Sequence, residues 1–265
     1  MGDNLIDGNR RLGDFSGLAL DYAENRPDYS DQVLKAITGL LSKPLVECDF
    51  ADVGAGTGIW TRMVSNLRPR STIAIEPNSD MRRMGTSFQT GQVIDWRDGM
   101  AENTGLMDCS VDFLSMASSF HWADFELAIG EFWRVLRPEG MFVAIWNPRY
   151  IEPGSLLAGI EDYLYSLKPD LQRVSSGRSG FTANLEDRLR LSGRFTDVVF
   201  MESKHEIKMS PARYLGAWRS VSDVRVQLGP LGFNEFLAVV EERTRDLEYV
   251  PAVYQTRAWV ARRVS

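Results

Sequence analysis

Short apolar runs alternate with longer amphipathic ones through the first 146 residues of the chain. That is the rhythm of strands followed by helices. Val33, Leu34, Ile37, Leu40 and Leu41 share one helical face behind Ser30, a good N-cap. Residues 48–53 then read as a strand that runs into glycines. A helix over 59–67 must stop before Pro69, because the proline ring clashes with the turn behind it. Further strands are expected over 72–75, 92–96, 111–116 and 141–146. A helix begins near Asn78, and an amphipathic one over 125–136 ends at Arg137-Pro138-Glu139-Gly140. Strands and helices at this spacing predict a mostly parallel sheet covered on both faces.

After Trp146 the rhythm changes. Residues 151–194 look helical and loop-rich, 195–209 alternate like a strand, 211–246 are helical, and 252–260 form a last strand. Two late strands completing the sheet, with 211–246 inserted between them, bring the expected total to seven. The expected class is α/β, doubly wound, with a helical insertion.

Charge narrows the choice of partner. The 265 residues carry 30 Lys and Arg against 36 Asp and Glu, a net charge of −6. A large phosphate-neutralising surface is therefore not expected, nor is nucleic acid as the main partner. Two cysteines, Cys48 and Cys109, and two histidines, His121 and His205, suggest neither a disulfide framework nor a zinc site. No metal is expected. There is no apolar run of about 18 residues, and Met1 to Arg10 is polar, so the expectation is a cytoplasmic chain away from membranes.

The most informative stretch is Asp52-Val53-Gly54-Ala55-Gly56-Thr57-Gly58, between a strand and a helix. Glycines there permit a tight turn and let a ligand approach the backbone closely. At the end of the next strand, 18 residues beyond Gly58, stands Glu76. A carboxylate at a strand end can accept hydrogen bonds from both hydroxyls of a ribose. The order of parts points to an adenosine-type cofactor. The spacing is G-x-G-x-G rather than the dinucleotide G-x-G-x-x-G, and no G-x-x-x-x-G-K-[ST] phosphate loop is present.

On these residues the chain resembles the class I S-adenosylmethionine-dependent methyltransferases. ADVGAGTG followed by IEP is similar to their motif I and acidic loop, and YAENRPDY to the N-terminal segment of many small-molecule members. GMAENTGLMDCSVDF, SSFHWAD and EFWRVLRPEGMFVAIW resemble the adenine-side loop with fourth strand, the loop after it and the fifth-strand unit. The His-Trp pair suggests the type 11-like subgroup. The resemblance implies a seven-stranded Rossmann-like methyltransferase fold in one domain over residues 1–265. Within it, 1–45 would be a helical lid segment and 46–146 the cofactor core. Residues 147–265 would hold the remaining sheet and a cap insertion at about 211–246.

It also implies roles. S-adenosylmethionine would be the cofactor and S-adenosylhomocysteine the product, with an O, N or C atom of a small molecule as methyl acceptor. Asp52, Gly54, Gly56 and Gly58 would lie under the methionine part, Asp52 facing its ammonium or else satisfying backbone amides. Glu76 would hold the ribose. Met100 and Ala101 fall at the adenine-contacting pair, with Met100 where an acid is usual and Asp98 near enough in sequence to replace it. Tyr22 and Arg26, four residues apart on one helical face, would close over the cofactor, Arg26 pairing with its carboxylate; otherwise they are an exposed cation and a docking ring. Ser118, in the loop after the fourth strand, would be a further cofactor contact, and His121 and Trp122 lie in the same loop. Trp122 would wall the acceptor pocket, and His121 is either a base for the acceptor proton or a structural partner of that loop. His205 reads as a solvated strand residue. Tyr214 and Trp218 either line the acceptor site from the cap or belong to its core. Two other readings stay open: a cofactor-binding or regulatory protein without turnover, and a non-methylating enzyme on the same scaffold.

Overall fold

The computed structural model describes residues 17–88, 91–173 and 180–265. The positions 1–16 of the expected lid segment, including the polar start, and 174–179 of the loop-rich stretch lie outside the described residues.

Helices α1 (Ala19–Asn25) and α2 (Asp31–Gly39) lead into the first strand, β1 (Asp49–Val53). Ser30 caps α2, its hydroxyl accepting from the Val33 amide. There follow α3 (Ile59–Ser65), β2 (Ser71–Ile75), α4 (Ser79–Ser87), β3 (Asp95–Arg97), β4 (Val111–Ala117), α5 (Phe125–Val135) and β5 (Leu136–Trp146). The second half holds α6 (Leu156–Leu167), α7 (Gly180–Ala183), α8 (Leu185–Leu191), β6 (Phe195–Met209), α9 (Pro211–Arg219), α10 (Ser222–Thr244) and β7 (Val250–Arg263).

The sheet has seven strands in the order β3-β2-β1-β4-β5-β7-β6. The first five run parallel, and β7 lies antiparallel between β5 and β6. Strand order reverses between β1 and β4, so the carboxyl ends of these two strands border the crevice where open α/β sheets bind ligands. Burial is nearly unbroken along β4 and over 141–146 of β5, because both faces of a central strand are covered. One face packs on Phe120, Phe125, Ile129 and Phe132, the other on Val33, Ile37, Trp60 and Val64. A third apolar cluster joins α6, α9 and α10 to the outer ends of β6 and β7, through Trp218, Phe236, Met209 and Tyr254. Among the described residues no helix is long and apolar enough to cross a membrane.

Several elements differ from the expected bounds, β7 among them, which runs over Val250–Arg263 instead of 252–260. The third strand pairs with β2 only over Asp95–Arg97, and ahead of it the Gln92 side chain donates to the Pro69 carbonyl (2.7 Å). β5 begins at Leu136, paired with Val111, and passes through Glu139 at φ 64° where a turn was expected. The helical stretch 211–246 is broken twice. Ser220 and Val221 separate α9 from α10, and α10 kinks at Gly229 (φ 66°, ψ 173°), since the residue before Pro230 avoids helical geometry.

Two packing features position the sheet edge that carries the site. At the amino ends of the strands, Asp49 accepts from Arg70 Nε (2.9 Å), Ser71 Oγ (2.7 Å) and Arg137 Nη2 (2.9 Å). Asp112 accepts from Arg137 Nη1 (2.7 Å) and pairs with Lys43 (2.8 Å), so β1, β2, β4 and β5 are tied in one charged network. At the opposite end Trp96 wedges between the glycine turn and α4. A Cβ on Gly85 would stand 2.2 Å from its ring, and one on Gly58 2.9 Å.

These features generate two predictions. Glycine to alanine inside a helix ordinarily gains about 0.5–1 kcal/mol, but overpacking costs about 1–3 kcal/mol. Gly85→Ala should therefore lower the urea midpoint; an unchanged or raised midpoint would show that Trp96 yields without cost. The Arg70 guanidinium holds the Asp49 carboxyl well below the usual carboxylate range. Its stabilisation is present above the unfolded pKa of about 3.9 and is lost as pH falls below it. Asp49→Asn should be less stable at neutral pH and show a shallower stability loss on acidification, by urea unfolding at a series of pH values. Parallel profiles for the two proteins would refute the role of this charge.

Candidate active site

The turn after β1 is built from glycines because its geometry admits little else. Gly54 has φ 65°, and a Cβ there would stand 2.6 Å from Ser119 Oγ. Ser119 Oγ donates to the Val53 carbonyl (3.2 Å), and the Ala55 amide to that of Ile75 (3.1 Å), so the turn is fastened to the ends of β1 and β2. Glu76 completes the junction. Its Oε2 accepts from the Gly56 amide (2.8 Å) and its Oε1 from the Asn78 amide (2.9 Å). Burial raises its pKa, opposed by those two amides. Each oxygen keeps a further lone pair for another donor.

Asp52, one strand position deeper, is wholly buried. Its oxygens accept from Thr61 Oγ1 (2.5 Å) and Ser115 Oγ (2.8 Å), and Trp60 Nε1 donates to the same serine (3.0 Å). Desolvation outweighs these bonds and pushes its carboxyl up to about 7. Asp52 is not in the wall of the neighbouring cavity, and hydroxyls rather than backbone amides satisfy it.

That cavity, of about 490 Å³, opens at the carboxyl ends of β1, β2 and β4. Gly54, Gly56 and Glu76 form one side, with Met100 and Ala101 beside Glu76 in sequence-distant register; Gly58 lies outside the wall. Met100 is 51% exposed, whereas Asp98 is turned to Arg82 (3.0 Å) and does not reach the cavity. Tyr22 and Arg26 supply another wall. The Arg26 guanidinium lies 5.0 Å from the Tyr22 ring centroid and donates to Ser220 Oγ (2.7 Å) and the Ser220 carbonyl (3.1 Å) at the end of α9. Ser118 also lines it, at φ 55°, with its amide donating to the Ile145 carbonyl (2.7 Å).

The remaining candidates separate. Trp122 is in the cavity wall, 4.5 Å from the His121 ring, but His121 itself is not. His121 Nδ1 accepts from Trp146 Nε1 (3.2 Å), and burial lowers its pKa to about 4, so the ring is neutral at pH 7. Tyr214 and Trp218 are fully buried in the third apolar cluster, outside the cavity wall. Trp218 stacks on the Arg149 guanidinium at 3.8 Å and meets Phe236 edge-on at 4.8 Å. His205, expected to be solvated, is half-buried and bonds the Asp28 carbonyl (3.1 Å) through Nε2.

Sequence reasoning missed Tyr29 and Asn147, which also line the cavity. Tyr29 OH shares a hydrogen bond with Ser118 Oγ (2.8 Å), and burial raises its pKa, keeping it a neutral hydroxyl. Asn147 donates to the Asp28 carbonyl (2.9 Å) and accepts from Thr256 Oγ1 (2.8 Å). Tyr29 ends the quoted YAENRPDY segment and Asn147 follows the fifth strand directly, so their positions carried a signal, but their convergence is tertiary.

This set suits S-adenosylmethionine. A buried carboxylate with spare lone pairs answers a ribose diol, the open glycine turn admits a chain against the backbone, and Arg26 offers a cation to a carboxylate. A cavity of this volume is of the size that holds small-molecule ligands.

Comparison with known proteins agrees. Residues 51–144 match the family model described as a methyltransferase domain. An uncharacterized methyltransferase from Mycobacterium bovis is 37% identical over 131 residues, 48% of this chain and 49% of the relative. The chain spans about half the length of the curated relatives it matches. Among solved structures, one from Anaeromyxobacter dehalogenans, provisionally assigned as a type II methyltransferase, shares the fold with a TM-score of 0.62 at 20% identity, covering 90% of this chain and 97% of that one. Phosphoethanolamine N-methyltransferase 2 from Haemonchus contortus, solved with phosphomonomethylethanolamine and S-adenosylhomocysteine, has a TM-score of 0.55 at 12% identity, covering 94% and 57%. Residues 51–144 thus resemble a methyltransferase domain, and the sheet that carries them shares its fold with solved methyltransferase structures.

Proposed function

We propose that the chain transfers the methyl group of S-adenosylmethionine to an O, N or C atom of a small-molecule acceptor, acting in the cytoplasm as a single domain over residues 1–265. The observation that carries this reading is one cavity that joins the glycine turn and Glu76 to a second wall of Tyr22, Tyr29, Trp122 and Asn147. In this reading 1–45 is a lid segment, 46–146 the cofactor core, and 211–246 a cap that holds Arg26 through Ser220.

When bound, S-adenosylmethionine would supply an electrophilic methyl on a sulfonium, open to in-line attack by an acceptor nucleophile as the carbon–sulfur electron pair leaves with S-adenosylhomocysteine. The side chains would mainly position and shield, since alignment of reacting atoms at about 3 Å supplies much of the acceleration in such a reaction. Glu76 would fix the ribose, Arg26 the cofactor carboxylate, and Met100 and Ala101 the adenine. Ser118 would be a further cofactor contact, and Trp122 and Tyr29 would border the acceptor. His121, away from the cavity wall and held by Trp146, would brace Trp122 rather than take a proton. Tyr214 and Trp218 would act as cap core.

Titration calorimetry tests the cofactor site. Glu76→Ala should weaken S-adenosylmethionine and S-adenosylhomocysteine by tenfold or more, about 1.4 kcal/mol; equal affinity for the variant and the parent, or no binding by the folded parent cleared of bound cofactor, would sink the reading. The His121 assignment has its own test. A histidine whose folded pKa lies below 6.5 stabilises the fold above that pH, and the contribution fades as pH falls towards about 4. His121→Gln should therefore flatten the stability loss between about pH 7 and pH 5 while leaving cofactor affinity within about threefold, a difference under 1 kcal/mol. An unaltered stability profile would count against the brace.

A further inference from the structure

β6 forms one edge of the sheet. It pairs with β7 on its inner side, and among the described residues no strand pairs with its outer side. At 15 residues it is long for an edge, where free amides and carbonyls invite another strand. Natural edges are blunted by charge, lysine above all. The exposed residues along the middle of β6 are Glu202, Lys204, Glu206 and Lys208, alternating in sign on one face.

We propose that β6 pairs antiparallel with β6 of a second copy of this chain, about a two-fold axis at His205. In that register residues equally distant from 205 stand opposite one another. Lys204 then faces Glu206 of the partner subunit, and Glu202 faces Lys208 of the partner subunit. Symmetry doubles both, giving four opposite-charge pairs on one face.

The same pattern rejects the neighbouring registers. A slip of two residues one way sets Lys204 against its own copy and Glu202 against the partner's Glu206. A slip the other way sets Glu206 against its own copy and Lys204 against the partner's Lys208. Like charges directly opposite are destabilising. A lysine-only edge would block pairing in every register, whereas this alternation opposes like charges at a slip of two residues and keeps only two of the four opposite-charge pairs at a slip of four. Its charges are also available. Glu206 makes no ion pair among the described residues, Glu202 shares Arg257 at a long 3.4 Å, and Lys204 rests on the Tyr150 ring at 3.3 Å. Towards the start of β6, outside the paired segment, Val199 and Phe200 are 41% and 39% exposed.

The test is sedimentation or light-scattering mass of the full chain and its charge variants. The parent should be dimeric, with dissociation favoured by salt. Lys204→Glu and Glu206→Lys should each weaken the dimer at least tenfold, because each creates like-charge pairs across the axis. An equimolar mixture of the two should recover dimer mass as a heterodimer, and the double swap should recover it alone. Circular dichroism and S-adenosylmethionine affinity equal to the parent's confirm that each variant is folded. A parent that stays monomeric, a dimer indifferent to both single changes, or a loss that mixing does not repair would each overturn the proposal.

Discussion

The buried carboxylate of Asp52 is the contact on which the cofactor side of the molecule depends. It receives hydroxyls from Thr61 on α3 and Ser115 on β4, and Trp60 fastens the same serine. Three elements are therefore held in register immediately beneath the glycine turn. An ionised carboxylate is costly in an apolar core, and burial pushes the Asp52 carboxyl up to about 7 against the lowering effect of its two hydroxyl bonds. The result is a hydrogen-bonded pin rather than a charge offered to a ligand. The acid that stands beside the glycine turn in the cavity wall is Glu76, which the turn's own amide and that of Asn78 hold in place.

From this pin the rest of the site follows by topology. Because strand order reverses between β1 and β4, the ends of these strands diverge into a crevice. Glycine is needed at Gly54 for conformation and space together, since Ser119 from the loop after β4 closes over it. The crevice is bounded on its other side by the segment between α1 and α2. Pro27 keeps Arg26 extended (ψ 142°), so the chain crosses the sheet edge rather than continuing the helix.

That crossing segment is clasped from several directions. The Asp28 carbonyl accepts from Asn147 and meets His205, the Ser30 amide donates to Thr256 Oγ1 (2.8 Å), and Tyr29 reaches Ser118. Arg26 is held by Ser220 at the end of α9. The second half of the chain therefore bears on the cavity without contributing an aromatic lining. Trp218 and Tyr214 are spent on packing around Arg149 and Phe236. Their helical spacing was compatible with either role, and the apolar cluster under α9 decided for the core.

Much of this was legible before folding. Apolar periodicity located the strands and helices, and Ser30, the glycines and Glu76 declared themselves because their chemistry is local: a cap, a turn that needs positive φ, an acid at a strand end. β6 matched its expected bounds, whereas β3 was shorter, since how much of a strand pairs with its neighbour is a long-range matter that the apolar pattern of 92–96 does not encode. Only the tertiary structure could turn Asp52 inward to Thr61 and Ser115, withdraw His121 behind Trp122, and bring Tyr29 and Asn147 together at the cavity. Local sequence determined which backbone each segment adopts, since propensity and periodicity act over a few residues. Which polar side chains meet a ligand and which meet each other was decided by long-range packing, because burial and hydrogen-bond partners exist only once the sheet has been assembled.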